Sequence, residues 1–377
     1  MSLGSLDRLK LVKEVIRNEY DVTMFLCDFD HNRKAEVSER DPECTYLHIP
    51  PYKKNLSIRR ILSLLNYGKQ IGRQVENMHP DLIYIILPPN NMVKNCESYL
   101  KNFPDATLVL DIYDLWPESM PLKRFQGTAP TRVWAGWRDR NLSKAQVVFT
   151  ECKLYQDVLQ KNGVEAKFET LYLCKALQDD VAQKVKEQVG QAKGQDNAIR
   201  FAYLGSINYI IDIEGICKVI EGLIGRGKSV EVEIVGEGES SQQFTRSLEE
   251  AGATVKYHGA IYNPVKIFKH LGNCDLGINM MKPGVQVGLT TKSLDYLSMG
   301  IPLLNNIRDD TWSLVEDECI GFNVLDTRLE TLIDNIINMN GKKMRENALQ
   351  AYENHFTPKS FMDTVRNVFE REGILHQ

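Results

Sequence analysis

Short apolar runs alternate along this chain with longer stretches in which apolar residues recur every three or four positions. The short runs are Val22–Cys27, Leu82–Leu87, Thr107–Asp111, Val147–Thr150, Arg200–Leu204, Val230–Val235, Thr254–Tyr257, Leu276–Met280 and Pro302–Asn305. Most are nearly continuous in apolar character, as strands buried on both faces of a sheet must be. The longer stretches are Leu6–Asn18, Ile58–Asn77, Ile213–Ile224, Ser241–Ala251 and Pro264–Leu271, and they carry the helical period. Strand and helix in regular succession predict α/β halves with parallel sheets covered on both faces. The rhythm breaks over 176–197, a polar stretch rich in Gln, Lys and Asp that predicts an exposed helix and a linker. A first domain over 1–175 and a second over 198–345 follow. The last segment, Gly341 to Gly373, reads as two helices broken near Thr357-Pro358, with Pro358 suited to the first turn of the final one, and 346–377 is set apart as a C-terminal helical segment.

The chain has 377 residues, enough for two domains that each bury a core. Its formal charge of −4 speaks against a nucleic-acid binder, which would be strongly basic. The eight cysteines form no C-x-x-C pair, so neither a zinc ribbon nor a redox pair is signalled. Free thiols within apolar runs fit a reducing, cytoplasmic compartment. No run approaches the roughly 18 apolar residues of a spanning helix. The opening is unusual for a Rossmann-like half, because a helix comes first. Met1-Ser2-Leu3 resembles a vector-derived start, so the first strand and its loop are expected ahead of this sequence.

The segment with most chemistry in it is Gly288-Leu289-Thr290-Thr291-Lys292-Ser293-Leu294-Asp295-Tyr296-Leu297-Ser298-Met299-Gly300-Ile301-Pro302. It follows the strand Leu276–Met280, and a helix is expected from Thr290 or Thr291 to a cap at Gly300. A helix N-terminus presents free N–H groups and the positive end of a dipole, which suits an anion. Thr290 and Thr291 add hydroxyl donors, Lys292 adds a charge for a diphosphate, and Asp295 offers a carboxylate to ribose hydroxyls.

These fifteen residues resemble the donor-site segment of glycosyltransferase family 4. Other stretches line up in the same order. Phe201-Ala202-Tyr203-Leu204-Gly205-Ser206 looks like the strand and Gly loop opening the second domain, and Val235-Gly236-Glu237-Gly238 looks like the family's V-G-x-G. Val255-Lys256-Tyr257-His258-Gly259-Ala260-Ile261 is similar to the strand and turn that cradle the base. Asp111-Ile112-Tyr113-Asp114-Leu115-Trp116-Pro117-Glu118-Ser119 resembles a motif of bacterial polysaccharide-assembly members.

The resemblance implies a GT-B fold, with two Rossmann-like domains facing a cleft and the C-terminal helix crossing back to the N-domain. It implies a hexosyltransferase that takes a nucleotide-diphospho-sugar and a saccharide or lipid-linked saccharide acceptor. Retention of configuration and independence of metal or other cofactors are implied with it. Donor binding falls to Gly205, Ser206, Ile261, Thr290, Thr291, Lys292 and Asp295, and the acceptor region to Asp114. Where the family has two acids eight positions apart, this chain has Val287 and then Asp295. Ser206 to Ile213 holds neither Arg nor Lys, so the diphosphate is left to Lys292, backbone N–H groups and Ser206. A nucleotide-sugar epimerase and a non-catalytic binding subunit of the same fold are the alternatives.

Asp114 follows the strand Thr107–Asp111 at its C-terminal end, where open α/β sheets place ligands. It is read as orienting the acceptor hydroxyl, and Asp111 as structural. Asp28-Phe29-Asp30 spells D-x-D but reads better as a solvated loop than as a metal site. Gly236-Glu237-Gly238 lacks the third glycine of a nicotinamide fingerprint. His258 reads as a structural histidine, and the other histidines show no metal-binding spacing. Lys53 to Arg73 is basic and amphipathic. An ordinary helix with a core-facing stripe of Ile58, Ile61, Leu62, Leu64, Leu65 and Ile71 is the preferred reading. Peripheral contact with an anionic membrane through residues 53–73 is the alternative.

Overall fold

The structure, a computed structural model, describes residues 3–31, 33–54, 57–120, 127–190, 197–285, 287–324 and 327–376. The chain divides into two compact units, one of Met1–Tyr172 with Phe361–Gln377, the other of Leu173–Ser360.

The first unit runs α1 (Leu3–Ile16), β1 (Met24–Cys27), β2 (Phe29–Asp30), β3 (Ala35–Glu36), β4 (Cys44–Leu47), α2 (Ile58–Met78), β5 (Leu82–Leu87), α3 (Asn91–Asn102), β6 (Thr107–Ile112), α4 (Ala129–Leu142), β7 (Val147–Thr150), α5 (Lys153–Lys161) and β8 (Phe168–Thr170). Strands β5-β6-β7-β8 lie side by side in that order, all parallel. Leu87, Leu110, Ile112 and Val148 are wholly buried within this sheet, which explains the unbroken apolar runs. β1 and β4 form a separate parallel pair, and β2 and β3 an antiparallel one. Between β1 and β5 lies a cavity of about 490 Å³ lined by Val12, Phe25, Tyr67, Ile71 and Ile83 among others.

Two expectations are corrected here. Asp28 is not in a solvated loop: its carboxylate is buried, accepting from the Ile49 N–H at 3.0 Å and lying 2.7 Å from His48 Nδ1. In α2 the core-facing positions are Ser63, Tyr67, Gly68, Gly72 and Val75, whereas Ile58, Ile61 and Leu62 are exposed. Close packing of α2 on α3 selects small residues at Gly68 and Gly72. Of the aliphatic stripe expected to reach the core, Ile58, Ile61 and Leu62 turn outward, Leu64 and Leu65 are half-buried, and Ile71 packs on the core.

The second unit runs α6 (Asp179–Gly190), β9 (Ala198–Leu204), α7 (Ile213–Gly225), β10 (Ser229–Val235), α8 (Ser241–Glu250), β11 (Thr254–Tyr257), α9 (Pro264–Leu271), β12 (Leu276–Asn279), α10 (Thr291–Ser298), β13 (Leu303–Asn305), α11 (Asp310–Asp317), β14 (Gly321–Asn323), α12 (Leu329–Ile337) and α13 (Gly341–His355). A last helix, α14 (Pro358–Arg371), starts at the end of this unit, and its residues from Phe361 belong to the first. The segment read as an exposed helix and linker contains α6, whose Val181, Val185 and Val189 are buried; α6 packs on α13 and α9.

The sheet order is β11-β10-β9-β12-β13-β14, parallel throughout. Numbered from β9 this is 3-2-1-4-5-6, the doubly wound order of dinucleotide-binding folds. The order reverses between β9 and β12. Ligands of such sheets bind outside the C-terminal ends of the strands at that reversal, because the loops leaving the two central strands turn away from each other and open a crevice.

Candidate active site

Three loops, leaving β9, β10 and β11 at their C-terminal ends, border the β9/β12 reversal. Gly205 leaves β9 with φ +116°, and its N–H donates to Val235 O at 3.0 Å. Gly236 leaves β10 against it: a Cβ on Gly236 would lie 2.0 Å from Gly205 O, so only glycine permits this approach. The Gly236 N–H in turn donates to Gly259 O at 2.8 Å. The loops bearing Gly205, Gly236 and Gly259, with Ile261 two residues on, are therefore linked by backbone hydrogen bonds. Ser206 is exposed at this rim.

Between β9 and β12 stands Tyr296 of α10. Its hydroxyl accepts from Leu204 N–H at 2.8 Å, and Ala202 O and Ile278 O lie 3.2 and 3.3 Å away. Its ring covers Gly277, where a Cβ would sit 2.5 Å from ring atoms. The phenol satisfies backbone groups that the diverging strands leave unpaired.

Thr290 is the N-cap of that helix. Its Oγ1 accepts from the Ser293 N–H at 3.1 Å and donates to Asn279 Oδ1 at 2.9 Å. Buried and doubly bonded in this way, Thr290 holds the helix start rather than presenting its hydroxyl outward. Asn279 belongs to a ladder that the sequence reading missed. Asn279 Nδ2 donates to Asn305 Oδ1 at 3.0 Å, and Asn305 Nδ2 to Asn323 Oδ1 at 2.8 Å, across three adjacent strands. Of the three, only Asn305 ended a strand predicted from the sequence, so the ladder was not legible there. Thr291, next in line, is exposed.

Lys292 points its Nζ toward β9, 3.4 Å from Tyr203 Oη and 4.7 Å from the centre of the Tyr203 ring. Among the described residues no carboxylate forms an ion pair with it. Burial pushes its pKa down to about 8, because removing water disfavours the ammonium form. Such an ammonium is placed to gain from an anion. Asp295, one turn on, is engaged by the Lys175 ammonium, so its carboxylate already has a cationic partner.

In the first unit the segment 111–119 is held residue by residue. Asp111 is wholly buried and bonded by Arg8 of α1, Nε to Oδ2 at 2.5 Å and Nη2 to Oδ1 at 2.9 Å, and by Tyr84 Oη at 2.6 Å. Glu118 pairs with wholly buried Arg138 at 2.8 and 3.1 Å, and Arg138 Nη1 also donates to Trp116 O at 2.8 Å. Asp114 accepts from Ser119 Oγ at 2.5 Å. Burial raises the Asp114 pKa, against the hydrogen bonds of Ser119, Trp116 and Leu115 and the charge of Arg60, which lower it.

Asp114 lines a cavity of about 400 Å³ together with His31, Tyr52, Arg60, Tyr113 and Trp116. The Arg60 guanidinium lies 4.5 Å from the Trp116 ring centre and 5.8 Å from that of Tyr52. His31 Nδ1 is 2.8 Å from Tyr52 Oη and 3.2 Å from Lys34 Nζ. An ammonium only donates, so Nδ1 accepts there and the neutral ring carries its proton on Nε2. Burial, with Arg60 and Lys34 nearby, lowers the His31 pKa to about 4, which keeps the ring neutral. The cavity thus combines aromatic faces, one guanidinium and one carboxylate, a set suited to a sugar with an anionic or hydroxyl substituent. Tyr52, His31 and Arg60 were not singled out by the sequence, since they lie far from segment 111–119 along the chain.

A four-stranded parallel sheet in the first unit and a doubly wound six-stranded one in the second are the elements of the GT-B fold. No protein family's sequence profile matches the chain, and comparison with curated protein sequences finds no match either. Solved structures do match. Sucrose-phosphate synthase from Thermosynechococcus elongatus superposes with a TM-score of 0.64 at 11% identity, over 97% of this chain and 92% of that one. The lipopolysaccharide outer core galactosyltransferase WaaB gives 0.66 at 12%, over 99% and 96%. HepE from Anabaena, in complex with UDP-glucose, gives 0.59 at 15%, over 98% and 96%. At such identities the likeness is one of fold.

Proposed function

We propose that the chain is a hexosyltransferase of cell-surface polysaccharide synthesis. In this reading a nucleotide-diphospho-sugar binds the second unit, with its diphosphate at Lys292 and the start of α10. A saccharide or lipid-linked saccharide acceptor binds the cavity at Asp114. The observation that carries the reading is the Lys292 ammonium, half-buried and without a carboxylate partner among the described residues, at the C-terminal end of the central strands. The UDP-glucose complex of HepE makes uridine diphosphate the first nucleotide to test.

The chemistry proposed is transfer with retention and without a metal. The acceptor oxygen bonds to the anomeric carbon, the bond from that carbon to the diphosphate oxygen breaks, and the acceptor proton passes to the leaving diphosphate. Asp114 orients the acceptor hydroxyl. The N-terminal turn of α2 adds a peripheral membrane contact, because exposed Ile58, Ile61 and Leu62 sit beside Arg59, Lys53 and Lys54. Among the described residues no helix is long and apolar enough to cross a membrane.

A second reading is a binding subunit without transferase activity. It is favoured by the Lys175–Asp295 pair, which occupies the carboxylate that a ribose would use. Release of UDP from UDP-sugars in the presence of a saccharide acceptor separates the two, since a binding subunit releases none.

A further inference from the structure

The second unit brings together Glu233 of β10, His258 just after β11 and His270 of α9, and the geometry points to a binding site for a divalent transition metal, zinc in the first instance, at these three residues. The inference is independent of the glycosyl-transfer reading.

One carboxylate oxygen and one ring nitrogen from each histidine all lie within 4.8 Å of one another. His258 Nε2 is 2.6 Å from Glu233 Oε2, and the two imidazole rings are tilted by 36° with centroids 4.0 Å apart. Glu233 is buried and the histidines are half-buried. Lys256 Nζ donates to the other carboxylate oxygen, Oε1, at 2.9 Å. That contact holds the carboxylate plane and leaves Oε2 toward the rings, the outer-shell support that metal ligands commonly have.

Two imidazoles in face contact would repel if both were charged, so at least one must be neutral. A metal at about 2.0 Å from each ligand in a tetrahedral set places the ligand atoms about 3.3 Å apart. The 2.6 Å contact then opens by less than an ångström, the proton between His258 and Glu233 leaves, and the wider pairs close in. Two nitrogens and one oxygen with water in the fourth position suit zinc, cobalt or nickel. Magnesium and calcium prefer oxygen donors alone.

The bound ion would act as a clamp. It would tie β10, the turn after β11 and α9 together, and that turn carries the Gly259 carbonyl bonded to Gly236. Nothing in the proposed transfer step passes through it.

The test is calorimetric titration of chelator-treated protein with zinc at neutral pH, with cobalt absorption spectra in parallel. The site predicts one zinc per chain, a raised Tm, cobalt bands of a low-coordinate nitrogen–oxygen set, and tighter binding as pH rises because a proton is displaced. His270→Ala, and His270→Asn should the first variant fold poorly, weaken binding at least tenfold and abolish the cobalt bands. His258→Ala does the same. No saturable binding by the unmodified protein, or binding that both histidine variants retain unchanged, overturns the site.

Discussion

Lys292 Nζ lies 3.4 Å from the Tyr203 hydroxyl and over the ring of the same tyrosine. The ammonium is thus held against an aromatic face at the point where the second sheet reverses its order. Its pKa of about 8 states the cost of that burial. A diphosphate beside it restores the charged form.

The pH dependence of donor binding follows. A UDP-sugar diphosphate carries a fixed charge near neutrality, so Lys292 is the titrating group. The free protein loses the Lys292 proton above about pH 8, whereas the complex retains it to higher pH. Affinity is therefore flat below pH 8 and falls up to tenfold per pH unit above it. Calorimetry in buffers of different ionisation enthalpy checks this as proton uptake on binding above pH 8. The Lys292→Ala variant loses the dependence along with most of the affinity.

Asp114 separates function from stability. Its pKa is raised, so its folded form binds protons that the unfolded form releases, and stability falls as pH rises through that window. At pH 7 the buried carboxylate is therefore a cost to folding. Asp114→Asn keeps an acceptor for Ser119 and removes the charge. It is expected to lower transfer at least a hundredfold while leaving Tm at pH 7 unchanged or higher. Kinetics beside thermal melts decide it, and a fall in Tm of several degrees would assign Asp114 a mainly structural role.

The Lys175–Asp295 pair competes with any ribose that uses Asp295. Asp295→Ala should weaken nucleotide binding roughly tenfold or more, the scale of a hydrogen bond to a charged group. Lys175→Ala frees the carboxylate and should leave binding unchanged or tighter. Equal losses in both variants would mean that the ion pair itself shapes the site.

Arg8 is the counterion of Asp111 in the core of the first unit. Arg8→Ala leaves a wholly buried carboxylate uncompensated and is expected to cost about 3–5 kcal/mol. Denaturant unfolding measures it. A loss under 1 kcal/mol would mean that water reaches Asp111 once the guanidinium is gone.

Exposed Ile58 and Leu62 predict sedimentation with anionic vesicles at low salt, lost in the Ile58→Ser/Leu62→Ser double variant and weakened by added salt. Equal sedimentation with neutral vesicles, or none, removes the membrane contact.

Much of the fold was legible because buried parallel strands must be apolar throughout. Leu82–Leu87 and Val147–Thr150 fall at the residues the pattern indicates. Cys44–Leu47, Phe168–Thr170 and Gly321–Asn323 were missed because they are short and only partly buried. The orientation of α2 was not legible, since aliphatic residues cover both its faces and only packing on α3 decides which turns inward. In the site, the order of segments along the chain was readable, but partnerships across it were not. Nothing local to Asp295 announces Lys175, and the eleven positions between His258 and His270 give no helical or hairpin register that would join them. Tertiary packing alone does that.

The central claim is that the β9/β12 reversal binds a nucleotide-diphospho-sugar. The most direct measurement is a thermal-shift and calorimetric screen of nucleoside diphosphates and their sugars, beginning with UDP and UDP-glucose, on the unmodified chain and on Lys292→Ala. The account predicts saturable binding to one nucleotide series, with stabilisation of about 2.7 kcal/mol at a hundredfold excess over Kd, and its loss in the variant. Binding that survives Lys292→Ala undiminished, or no binding by any member of the panel, contradicts it.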